Sequence, residues 1–255
     1  MRYLDSIRFV YAKKNWLMNV VMCVICMIIP VVGQIVLMGY MFEVLDFLRR
    51  EPNNPEYPDF KFDRFVPYLM RGIWPFLVQI VASFVIGIVI SVMVGLLMIA
   101  MFTRSSVIIS LAWLLYIVAI TIVSVGLSIV LWPAMFYAGI SQQLNPGATV
   151  AFVKDFIKRV GKELVLSVLF LIAAGIVLGP VGLCACFIGV WFVAIGLTFS
   201  HYHLEYQLYE LYLQRGGTPI PVKVESAGVP GGDLSTAITA EPERRAEPPA
   251  APPGP

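Results

Sequence analysis

Charge is what this chain lacks. Only 13% of its 255 residues are Asp, Glu, Lys or Arg and 59% are hydrophobic, where soluble domains carry about 25% charged residues. Four stretches contain no Asp, Glu, Lys or Arg at all: Asn15–Phe42, Gly72–Thr103, Ser105–Val153 and Leu164–Ser200. Each exceeds the roughly 18 apolar residues of a transmembrane helix candidate. The net charge of +2 is too small to bring in a nucleic-acid partner. Cysteine is scarce too. Cys23, Cys26, Cys184 and Cys186 all lie in apolar runs, which excludes a disulfide framework. The C-x-x-C spacing of Cys23 and Cys26 reads as small apolar packing, because no polar residue beside them would support a thiolate in hydrocarbon. A small-x-small cleavage site is missing after the basic N-terminal segment, so that segment is expected to be retained. Neither a nucleophile–base pair nor a metal-ligand set is spaced along the chain, so neither an enzyme nor a cofactor is expected.

What is present is punctuation. Basic residues gather in four blocks: Arg2 to Lys14, Arg49 to Arg71, Lys154 to Lys162, and the region from Arg215 onward; Arg104 stands alone. The positive-inside rule places the blocks in the cytoplasm and Arg104 outside. That arrangement predicts an all-α polytopic membrane protein of about six membrane helices in three hairpins. Ile73–Phe102 goes out and Val107–Ile140 returns, turning at Thr103–Ser106. Glycine and proline at Val177–Gly182 break the third hairpin, and Ile28–Gly33 breaks the first. Asn15–Ile29 would be only about 22 Å long as a helix, against a hydrocarbon core of about 30 Å. The first segment is therefore a short or re-entrant hairpin, with a single kinked span over Trp16–Met38 as the alternative. Both termini are expected in the cytoplasm and the protein in the cytoplasmic (inner) membrane.

Two polar interruptions share one grammar. "EPNNPEYPDF" and "QQLNPGATV" are each followed by a short amphipathic stretch. In the second, Phe152, Val153, Phe156, Ile157 and Val160 make one helical stripe, and Lys154, Lys158 and Lys162 lie opposite. This spacing predicts a helix lying in the membrane interface with those lysines as headgroup contacts. Phe62, Phe65, Val66 and Leu69 make a similar stripe after the first interruption. The interruptions read as connectors, with a binding loop as the second reading.

"IIPVVGQIVLMGY", "LRR", "NNPEYPDF", "PYLMRG" and "AFVKDFIKRVGKEL" together resemble the multi-pass membrane proteins catalogued as domain of unknown function 4013. The likeness runs from about Met1 to Arg215, and the first connector departs from it in being longer and richer in proline. That family has no assigned activity and no recognised catalytic motif, so the resemblance supplies no site residue.

Other patterns remain. Ser83, Gly87, Ser91 and Gly95 form a small-xxx-small ridge, read as helix packing inside the bundle or as a self-association seam. Trp16, Trp74 and Trp132 sit where interfacial anchors belong. Pro75 is expected in a first helical turn, and Pro133 is expected to kink or end its helix. His201 and His203 lie about 200° apart on a helix and cannot share an ion. His203, Gln207, Glu210 and Gln214 read as a solvated face, and His201 can pair with Glu205. Gln34 and Gln79 are the candidate intramembrane polar positions; Asn19 and Thr121 are the others in the spans.

Residues 1–215 are thus expected to form a transmembrane helical domain. Residues 216–255, rich in Pro, Gly and Ala, are expected to form a disordered cytoplasmic tail. The function these features favour is a non-enzymatic membrane component that interacts with the lipid bilayer and with other membrane proteins or itself. The alternative is a transporter or channel-like protein for a small or lipid-like substrate.

Overall fold

A computed structural model describes residues 1–51, 57–184 and 188–221, and these residues are helical with no strand. Seven α-helices run in order: α1 (Tyr3–Phe9), α2 (Trp16–Ile28), α3 (Val32–Arg50), α4 (Phe65–Phe102), α5 (Ser106–Ser141), α6 (Pro146–Cys184) and α7 (Ile188–Gln214). A 3-10 turn, Phe62–Arg64, leads into α4. Three helices among the described residues, α4, α5 and α6, are long and apolar enough to cross a membrane. The expected six are not reached on length and composition. The 13 residues of α2 make a helix of only about 20 Å; α3 carries Glu43, Asp46, Arg49 and Arg50 in its second half; the apolar half of α7 gives way to polar residues from His201 onward.

The first segment is a short hairpin of α2 and α3. Pro30 ends α2, and Val31 then adopts φ 63° and ψ −68°, with the Val32 N–H donating to the Pro30 carbonyl at 2.7 Å. This is a positive-φ γ-turn, a costly conformation for a β-branched residue. It is held because α2 and α3 meet backbone to backbone: a Cβ at Gly33 would overlap the Cys26 carbonyl. Gly39 and Gly72 do the same for α3 and α4. A Cβ at Gly39 would collide with the Tyr68 carbonyl, and one at Gly72 with the Ile35 carbonyl.

The second hairpin is as expected, α4 and α5 joined at Thr103–Ser105. The third differs. Pro180 lies inside α6, which continues through the expected "VLGPVG" break to Cys184; residues 185–187, between α6 and α7, are outside the described set. A proline within a helix is tolerated where neighbouring groups re-satisfy the freed carbonyl. Pro75 and Pro133 are likewise interior, ten residues into α4 and well before the end of α5 at Ser141. Pro67 is the proline that occupies a first turn. Asn145 starts α6: its Oδ1 accepts the Ala148 N–H at 3.1 Å, with Pro146 following at the position where a missing N–H costs nothing.

The core lies at one end of the bundle, where α1, α2, α3 and α6 surround the second half of α7 and the ends of α4 and α5 join them. The outer parts of α4 and α5 expose apolar side chains along their length, Phe84, Ile88, Phe102 and Val107 among them.

Candidate functional site at the charged end of the bundle

Ion pairs and tertiary hydrogen bonds concentrate at this end. Glu43 on α3 pairs with Arg64, and Asp46 with Arg71. On the opposite side Asp155 pairs with Arg159 and accepts from the Tyr212 hydroxyl at 2.9 Å, while Glu163 pairs with Arg215. The Tyr209 and Tyr212 hydroxyls accept the N–H groups of Ile220 and Thr218 at 3.0 and 3.1 Å. Residues 216–221, expected to belong to a disordered tail, are thereby fastened to α7; the remainder of that tail, from Val222, is outside the described residues.

The first connector is part of the core. Tyr57 is buried, and its hydroxyl donates to the Val10 carbonyl at 2.8 Å. The Tyr40 hydroxyl donates to the Pro58 carbonyl at 2.8 Å. Asn19, expected as a polar residue of a span, instead clamps the connector, donating to Asp59 Oδ1 at 3.1 Å and accepting the Phe60 N–H at 3.0 Å. Lys13 pairs with Asp59 at 2.9 Å and donates to the Tyr57 carbonyl at 2.8 Å. Burial acts to raise the Asp59 carboxyl, but the hydrogen bonds from Lys13 and Asn19 and the positive charge of Lys13 outweigh it, and the carboxyl titrates below its ordinary value. Residues 52–56 of the connector lie outside the described set.

One of the two expected interfacial helices is corrected. Ala151–Lys162 forms the opening turns of α6, set off from its apolar part by a bend at Val160 (φ −128°, ψ 16°). Phe152, Val153, Phe156 and Val160 are buried in protein, with Phe152 against Tyr137 and Tyr212. The stripe looks identical in sequence whether lipid or protein covers it. Lys154, Lys158 and Lys162 are exposed on the other face, as the candidate headgroup contacts require. In the first stretch Phe62 and Val66 are exposed, and Tyr68, which lay outside the expected stripe, is the buried residue.

Of the face of α7 read as solvated, His203 and Gln207 are covered by α1, while Gln214 is exposed. The His203 ring stacks on Phe9 at 4.6 Å with 10° between planes. Its Nδ1 lies 3.1 Å from Ser6 Oγ. The Gln207 amide donates to Ser6 Oγ at 3.2 Å, and its Oε1 accepts the Arg2 N–H at 2.7 Å. Burial pushes the His203 imidazole down to about 4, with Asp5 pulling weakly the other way. Beside this contact is a cleft of about 740 Å3, lined by Arg2 at the N-cap of α1, by Asp5 and Arg8 of α1, by Leu48, and by Tyr206 and Gln207. His201 pairs with Glu205 at 3.2 Å as expected, under the Trp132 ring at 4.0 Å. Tyr202 and Tyr209 are in the core.

The ridge Ser83, Gly87, Ser91 and Gly95 does not pack inside the chain. All four residues are exposed, and nothing lies within 4 Å of a Cβ built on Gly87 or Gly95. Gln34 and Gln79 are not brought together as a pair. Gln34 Nε2 donates to the Met27 carbonyl at 3.4 Å, closing the first hairpin, whereas Gln79 Oε1 is buried on α4 without a partner. Among the described residues no group of three or more His, Cys, Asp or Glu is placed to hold a metal ion.

The sequence profile of the family described as Protein of unknown function (DUF4013) matches residues 22–187. The chain belongs to this family. The DUF4013 match starts inside α2 and ends between α6 and α7, so it is narrower than the likeness over residues 1–215 and leaves α1 and α7 outside. No curated protein and no solved structure matches the chain. The DUF4013 region therefore supplies α3 to α6 of the bundle, while the cleft is built largely from the flanking α1 and α7.

Proposed function

We propose that this DUF4013 protein is a non-enzymatic component of the cytoplasmic membrane, acting through contacts with lipids and with other membrane proteins or itself. The observation that carries this reading is the division of polar chemistry along the bundle. Ser83, Ser91, Thr121 and Ser128 in the long apolar helices each donate to the carbonyl four residues earlier in their own helix, at 2.7–2.8 Å. Such a hydroxyl is satisfied locally and offers little to a passing solute. Ion pairs and tertiary hydrogen bonds gather at the other end, where the basic blocks lie together. In this reading α4, α5 and α6 cross the bilayer and the apolar first half of α7 brings the chain back, so that the charged end faces the cytoplasm with both termini and the Arg104 turn faces outward. Lipid tails cover the exposed apolar faces of α4 and α5.

The second reading, a transporter or channel for a small or lipid-like substrate, draws on one observation, the unpartnered Gln79 carbonyl oxygen. An unsatisfied buried acceptor is costly and calls for an explanation. Reconstitution separates the two. Protein in liposomes screened against small ions, sugars, amino acids and fluorescent lipids should give no flux above protein-free vesicles. A flux that collapses on Gln79→Leu would overturn the component reading in favour of transport.

A further inference from the structure

We propose that the cleft between α1 and α7 binds a phospholipid headgroup of the ethanolamine type, with Arg2 and Arg8 on its phosphate and Asp5 on its ammonium. The inference rests on the membrane-component reading and names a ligand for it.

The first observation is a contrast in pairing. Elsewhere at the charged end the carboxylates of Glu43, Asp46, Asp59, Asp155 and Glu163 each have a lysine or arginine partner, while Asp63 and Glu210 have none among the described residues but do not stand between two cations in a cleft. Arg2, Asp5 and Arg8 line one cleft, and among the described residues none of the three side chains has an ion pair or hydrogen bond. They follow one another at three-residue intervals, so the signs alternate plus, minus, plus from the N-cap Arg2 into α1. A simple anion would meet Asp5 as a repulsive neighbour. A zwitterion carrying a phosphate and a primary ammonium matches both signs, with guanidinium–phosphate and ammonium–carboxylate hydrogen bonds.

The second observation is that the platform is fixed. Ser6 is buried and hydrogen-bonded to both His203 and Gln207, Phe9 is stacked on His203, and the Arg2 backbone is held by Gln207. The backbone carrying the charges is thus ordered before a ligand arrives, which lowers the entropic cost of binding. Phe9, Leu48 and Tyr206 add apolar surface to the lining, which suits the glycerol portion of a lipid.

The third observation selects a lipid over a soluble phosphate ester. Tyr3, next to Arg2, meets Phe170 with ring centroids 5.2 Å apart, and Phe170 lies in the charge-free apolar run that begins at Leu164. Leu4, next to Tyr3, and Leu166 and Leu169, on the same helix as Phe170, are exposed. Acyl chains leaving the cleft would have apolar side chains to follow into the bilayer.

The test uses the full chain in a non-ionic detergent and native mass spectrometry, with phosphatidylethanolamine, phosphatidylcholine or diacylglycerol added. Parent protein should retain phosphatidylethanolamine best. The double variant Arg2→Gln/Arg8→Gln should weaken that retention about tenfold, the loss expected when charge-assisted contacts to one phosphate are removed. Asp5→Asn should abolish the preference for ethanolamine over choline, and Arg104→Gln, at the far turn of the α4–α5 hairpin, should change neither. The arginines and Asp5 are exposed, so unchanged thermal melting will show that the variants fold. Retention indifferent to the arginines would overturn the site. Displacement of the lipid by equimolar inorganic phosphate would overturn the lipid as its ligand. These outcomes leave the membrane-component reading standing, because that reading fails only on flux or on topology.

Discussion

The hydroxyl of Tyr57 donates to the carbonyl of Val10 across 47 positions of sequence, at 2.8 Å and out of reach of water. This bond joins the loop after α3 to the end of α1, and Phe199 of α7 packs on the Tyr57 ring with centroids 5.1 Å apart. A proline-rich connector is therefore the point at which three parts of the chain meet.

Tyr57→Phe should cost about 1–3 kcal/mol, because it leaves a buried carbonyl without its donor. Tyr57→Ala should cost about 3–5 kcal/mol, adding a cavity to that loss. Denaturant titration in mixed micelles would measure both; parent-like midpoints for both variants would show the connector to be ornamental.

Glycines give a sharper contrast. Gly39→Ala and Gly72→Ala should each force α3 and α4 apart, since the new methyl meets a carbonyl of the facing helix, and should lower thermal stability in detergent markedly. Gly87→Leu should be mild, because the position is open. The reverse order of stabilities would mean that the ridge on α4 is the true packing seam.

The sequence announced the apolar runs, the α4–α5 hairpin and the basic blocks because each depends on composition alone. It could not tell which glycines touch. Gly87 and Gly95 carry the familiar spacing and face outward, while Gly39 and Gly72, without that spacing, bring α3 and α4 backbone to backbone. The amphipathic stretch Ala151–Lys162 was visible as a stripe, but a stripe does not say whether lipid or the tyrosines of α5 and α7 will cover it. At the candidate site, the alternation Arg2, Asp5, Arg8 is legible at three-residue spacing. Its meaning is not, because it depends on α7 arriving beside α1 from about 200 residues away.

The start of α6 yields a prediction opposite to that of an interfacial helix. Replacing Lys154, Lys158 and Lys162 with glutamine should leave amide exchange over residues 151–162 unchanged in anionic liposomes, because Phe152, Phe156 and Val160 hold the helix to protein. A headgroup-anchored helix would lose about 1 kcal/mol per lysine and exchange faster.

Acid should loosen α1. His203 is held down at about 4 in the folded state by burial, against an ordinary value near 6.5. Between those two values the unfolded chain binds more protons than the native one, so stability falls as pH drops through that window and levels off below it. Asp5, Arg2, Ser6, Gln207 and Tyr206 are the neighbours that face the ring or its cleft. Proteolysis or amide exchange in α1 should accelerate from pH 6.5 toward 4 in the parent. The acceleration should be largely absent in His203→Gln; an equal response in that variant would assign it to other groups.

The central claim is that the apolar hairpin of α4 and α5 crosses the bilayer, with its turn on the side opposite the charged end. Single cysteines at Ser105, Lys61 and Asn145, introduced into a chain without its native thiols, should be labelled by a membrane-impermeant maleimide in intact cells at Ser105 only. Lys61 and Asn145 should react after permeabilisation. Labelling of Ser105 and Asn145 from the same side would contradict the account.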